Sequence, residues 1–172
     1  MAVTLSLPVL ALAAILQTTL VPLIFRVANG EPDLIFLIVL SWALHGRQDQ
    51  TIVWAFVGGI CADLLSAAPT GATVIGLLIT IAIVGWLRSQ VYRVGFVSHV
   101  GLVITGTLIH KTIYILLLSF VGFRVPILGA LLNVVLPTLV YNLIAMVPIY
   151  LMVRSLQRRF GGDMASAVKV QG

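Results

Sequence analysis

The chain has 172 residues, of which 60% are hydrophobic and 9% charged, and its mean hydropathy is +1.16. A water-soluble domain carries roughly a quarter charged residues, so this composition excludes one and leaves no polar stretch long enough for a second domain. The net charge of +5 would suggest nucleic acid in a soluble protein, but here the basic residues sit in short connections between apolar runs, where they report topology and contact with membrane lipid.

Taken in order, the apolar runs predict an all-α polytopic membrane protein of six transmembrane helices. A span needs about 20 apolar residues to cross a hydrocarbon core of about 30 Å. Residues 5–25 fit, with Pro8 and Pro22 near the ends. No Lys or Arg precedes this run, and no small-residue cleavage site follows, so it is expected to be retained as a helix. Arg26, Glu31, Pro32 and Asp33 mark a loop. Residues 34–44 form a short run ending at Trp42 and His45, then a polar turn from Gly46 to Gln50. This run reads either as a short span or as half of a re-entrant hairpin. The span is favoured because residues 51–68 are long enough to cross alone. Pro69, Thr70 and Gly71 form a turn. Further spans follow at 72–87, 96–120 and 127–153. The spans make one domain over 1–160, and 161–172 are expected to be a disordered cytoplasmic tail.

An even number of spans puts both ends on one side. That side carries Arg47, Arg88, Arg93, Arg154, Arg158, Arg159 and Lys169, against only Arg26 and Arg124 on the other. The asymmetry predicts cytoplasmic termini. The cluster Arg154, Arg158 and Arg159 reads as an anchor to anionic lipid.

Polar residues at membrane depth are the candidates for function. Asp63 is the foremost, since a carboxylate at a helix centre costs about 2.5–3.5 kcal/mol on insertion scales. Ala55, Gly59, Asp63 and Ser66 recur at helical spacing on one face, and small residues there admit a close neighbour. Lys111, beside His110, lies inside the fifth run at comparable depth, so an Asp63–Lys111 ion pair or shared polar cavity is expected. The alternatives are a pure packing stripe with Asp63 hydrated near the outer interface, and a Lys111 that snorkels to the headgroups alone. A second stripe, Gly129, Asn133, Pro137, Tyr141, Ala145 and Pro148, runs along the last span, where Asn133, Tyr141 and Asn142 can hydrogen-bond across helices. Both stripes are candidate helix-packing or partner-binding faces. Gln17, Thr18 and His99 read as local hydrogen-bonding residues.

No phosphate-binding loop, His-x-x-x-His pair or nucleophile elbow occurs. The carboxylates Glu31, Asp33, Asp49, Asp63 and Asp163 are scattered, whereas general acid–base catalysis needs groups that converge. The lone Cys61 excludes an intrachain disulfide and a Cys-rich metal centre. No catalytic residues, cofactor or metal are therefore expected.

The run Pro32-Asp33-Leu34 into Trp42-Ala43-Leu44, the charged turn, and then Gly58-Gly59-Ile60-Cys61-Ala62-Asp63-Leu64-Leu65-Ser66 with Gly71 beyond resemble the bacterial rod shape-determining MreD family. Pro32, Gly59, Asp63, Leu64 and Gly71 carry the motif, and Pro148 to Arg154 resemble the family's basic ending. The resemblance implies a non-enzymatic inner-membrane scaffold of the cell-elongation complex. It would bind MreC, which has one span and a large periplasmic part, and act with MreB, the glycosyltransferase RodA and its partner class B transpeptidase in peptidoglycan synthesis. It implies a fold similar to the substrate-binding subunits of energy-coupling-factor transporters. The alternative function that follows is a small-molecule-binding subunit of such a transporter.

Overall fold

A short helix that is apolar on every side organises the fold. In the computed structural model, which describes residues 6–24, 30–45, 47–66, 71–90, 96–123 and 126–160, α1 spans Ser6–Thr19, α2 Val21–Ile24, α3 Leu34–His45, α4 Gln48–Leu64, α5 Ala72–Gln90, α6 Phe96–Phe120, α7 Ile127–Ala130 and α8 Leu136–Phe160. A π-helical turn, Leu131–Val135, joins α7 to α8. No strand occurs among the described residues. The expected turn residues Pro69 and Thr70, the tail 161–172, and Arg26, Arg93, Arg124 and Lys169 lie outside them.

The 12 residues of α3 rise about 18 Å, well short of a bilayer core. Every residue from 35 to 44 is buried, and α1, α4, α5, α6 and α8 all pack against α3. A helix without a polar face belongs inside a bundle. Trp42 stacks on Trp54 of α4 with ring centroids 4.1 Å apart. At the C-terminal end of α3, Arg88 Nη1 donates to the Ala43 carbonyl at 2.6 Å, placing a cation where the helix dipole favours one.

Among the described residues four segments are long and apolar enough to cross a membrane: Ser6–Leu23, Ala72–Ser89, Ser98–Phe120 and Leu131–Leu156. Leu34–Leu44 is apolar but shorter. The short run is thus a buried central helix.

The last run departs from a regular helix where Pro137 lacks an N–H to donate. The Leu136 N–H bonds instead to the Leu131 carbonyl, five residues back, which is the register of a π-turn. Gly30 seats against this bulge. A Cβ on Gly30 would come within 2.6 Å of both Pro137 Cβ and the Thr138 nitrogen, so only glycine permits the approach. The buried face of the last helix is consequently Val135, Thr138, Asn142, Met146, Ile149 and Val153. The stripe Asn133, Pro137 and Tyr141 runs beside it, with Asn133 exposed and the other two half-buried.

Candidate functional site

The small-residue stripe of α4 is used inside the protein. Ala55 is fully buried and Asp63 is 3% exposed. A Cβ on Gly59 would lie 2.5 Å from Val74 Cα, so α4 and α5 meet backbone to backbone there, as small residues allow. Ser66 is exposed just beyond the end of α4. At the foot of this contact Asp63 Oδ2 accepts the Gly71 N–H at 2.7 Å, and Oδ1 accepts the Thr73 N–H at 3.1 Å. The carboxylate satisfies donors at the start of α5, where helix N–H groups lack intrahelical partners and negative charge is favoured. Gly71 has φ +104°, a left-handed conformation suited to glycine. The family-motif residues Gly59, Asp63 and Gly71 therefore build one joint, while Leu64 is exposed and Pro32 is buried beside Asp33.

Lys111 does not pair with Asp63. Its Nζ lies 2.8 Å from Asp33 Oδ2. The expected pair fails for two reasons: both Asp63 oxygens already accept backbone N–H groups, and the shortness of α3 brings Asp33, at its N-terminus, to the level of Lys111. Asp33 is 6% exposed. Its Oδ1 accepts the Phe36 N–H at 3.1 Å, the capping geometry that Asp favours before a helix.

Around this pair the polar side chains of three helices close on the same backbone. The Asp33 N–H donates to Asn142 Oδ1 at 2.8 Å, and Asn142 Nδ2 donates to Thr107 Oγ1 at 3.1 Å. The Ile35 N–H donates to Gln17 Oε1 at 3.2 Å, and the Glu31 N–H to Thr138 Oγ1 at 3.3 Å. His110 Nε2 stands 3.6 Å from Asp33 Oδ2, and its ring stacks on Phe36 at 5.4 Å. Unpaired polar groups are costly inside a low-dielectric bundle, and here the free N–H groups opening α3 are met from α1, α8 and the Asp33 carboxylate itself.

Beside the network lies a cavity of about 390 Å³, bounded by Gln17, Glu31, Asp33, Thr73, Lys111 and Tyr114 among others. At the opposite end of the bundle Gln48, Thr51 and Arg88 line a smaller one of about 70 Å³. No group of three or more metal-ligating side chains occurs among the described residues.

Sequence reasoning found Lys111 and Asp63 but missed Asp33, reading it as a loop residue. The signal was present: an Asp directly before an apolar helical run is an N-cap, and the short run sets it deep. Asn142, one of the residues of the last span able to hydrogen-bond across helices, bonds both Asp33 and Thr107. Thr18 bonds locally, its Oγ1 donating to the Ala14 carbonyl at 3.0 Å, whereas Gln17 reaches across to the Ile35 N–H of α3.

A family model described as rod shape-determining protein MreD matches residues 1–160. No curated protein and no solved structure matches the chain.

Proposed function

The chain belongs to the rod shape-determining protein MreD family, and from that premise we propose that it is a non-enzymatic scaffold that holds MreC in the inner membrane and supports peptidoglycan synthesis by the RodA–transpeptidase pair. One observation carries the reading. The charges at membrane depth are spent on holding helices together: both oxygens of Asp33 and both of Asp63 accept hydrogen bonds within the protein. What the bundle offers to neighbours is apolar surface, such as Leu7, Leu12 and Ile15 on α1 and Leu132, Leu136, Val140 and Ile144 on the last helix. A protein with that surface acts through helix contacts.

The MreC span docks in the groove between α1 and α8. Leu12, Leu16, Leu34, Ile38, Ile149 and Met152 are among the residues lining this apolar groove of about 240 Å³. Leu34 and Ile38 belong to α3, so the groove reaches down to the central helix. Gly59 and Asp63 of the α4 stripe already meet α5, whereas Asn133 is exposed.

In this reading all six helical segments cross or line the bilayer, with both termini cytoplasmic. Arg47 and Arg88 lie at the C-terminal end of α3, and Arg154 lines a crevice with Leu44. Gathering cations at one end supports that end as cytoplasmic.

The test is co-purification of the full chain with co-expressed MreC and the RodA–transpeptidase pair, alongside an energy-coupling ATPase module. Capture of MreC supports the scaffold. Capture of the ATPase module alone, with a small ligand retained in the 390 Å³ cavity, overturns it in favour of a transport subunit.

A further inference from the structure

At the end of the bundle away from Asp33, α6 and α8 part over the side of α3. The crevice between them has a volume of about 310 Å³. Its deep wall is Leu40, Leu44, Val103 and Met146, all buried. Leu151, 57% exposed, stands at its mouth, and Arg154, also exposed, closes the lining. Pro148 interrupts the hydrogen-bond ladder of α8 along this stretch. Among the described residues no carboxylate pairs with Arg154. Asp49 is engaged by Arg47 at 3.2 Å, and Asp33 and Asp63 are bound as above.

We propose that this crevice is a binding site for one anionic phospholipid, with an acyl chain against Leu40, Val103 and Met146 and the phosphate on Arg154. Its buried apolar wall suits a hydrocarbon chain, and the guanidinium at its edge suits an anionic headgroup. An arginine fork recognises phosphate oxygens bidentately, and a guanidinium one to two helical turns beyond the apolar wall meets a lipid at headgroup level. A zwitterionic lipid brings its own cation to that level and loses the advantage. A single basic residue near the surface supports a preference of roughly fivefold for the anionic lipid. This proposal is independent of which protein partner the chain binds.

Native mass spectrometry of the full chain released from detergent, titrated with phosphatidylglycerol or phosphatidylcholine, reads the one-lipid adduct directly. The expected result is a phosphatidylglycerol preference of roughly fivefold that falls to parity in Arg154→Gln and survives in Arg47→Gln, which removes a cation already engaged by Asp49. Leu151→Trp, filling the mouth from an exposed position, should lower the adducts of both lipids. The proposal is overturned if wild type shows no preference, if Arg154→Gln keeps it, if Arg47→Gln loses it equally, or if Leu151→Trp leaves both adducts intact.

Discussion

Lys111 Nζ, midway along α6, lies 2.8 Å from Asp33 Oδ2 at the start of α3, a contact across 78 positions of sequence. It joins a helix long enough to cross the bilayer to one that is not. The pair explains how an acid and a base are both tolerated at depth. Each offsets the desolvation of the other, and the carboxylate also caps α3.

Removing one partner leaves the other charge uncompensated, which in buried pairs costs about 3–5 kcal/mol. Lys111→Met and Asp33→Asn should each lower stability toward the lower end of that range, because the Lys111 side chain is 21% exposed. The double variant should lose less than the sum of the two, by about 0.5–3 kcal/mol. Unfolding in detergent, followed by circular dichroism, measures the cycle; strict additivity would mean that the contact carries no coupling.

Asp63 belongs to a different joint, so its cycle with Lys111 should be additive within about 0.3–0.5 kcal/mol. Asp63→Ala should cost about 0.5–2 kcal/mol, the usual range for a lost cap. Asp63→Asn should cost less, since an amide oxygen still accepts one of the two N–H groups. A large coupling between positions 63 and 111 would restore the pairing expected from sequence.

That expectation shows where the sequence was legible. Apolar runs located the helical segments, but of these only four are long and apolar enough to cross a membrane among the described residues, and α3 has 12 residues. Of the stripe Ala55, Gly59 and Asp63, Gly59 meets Val74 of α5, and Asp63 accepts the Gly71 and Thr73 N–H groups. Depth was harder to read. Asp33 borders a loop in sequence, yet it is buried in space because α3 is short and its neighbours long. Nothing in hydropathy records such an offset. Beyond the π-turn, Thr138, Asn142 and Met146 share one buried face of a regular helix, so the face that reaches Asp33 lies one position along from the stripe Pro137 and Tyr141.

Two glycines separate close packing from helix propensity. Gly59→Leu should force α4 from α5, because even a Cβ meets the Val74 backbone at 2.5 Å. Overpacking of this kind costs about 1–3 kcal/mol, occasionally more. Gly85→Ala should be neutral or stabilising by up to about 1 kcal/mol, since a Cβ there meets nothing within 4 Å. Melting temperatures of the two variants in one detergent compare them; equal effects would remove the special role of the Gly59 contact.

The most direct test of the scaffold reading is photo-crosslinking in cells from within the groove between α1 and α8. A photoreactive residue at Leu12 or Met152, both exposed groove-lining positions, should capture MreC, while the same residue at Ile75 or Ile79, exposed on α5, should not. Capture of MreC from α5 with none from Leu12 or Met152, or from no position at all, would contradict the account.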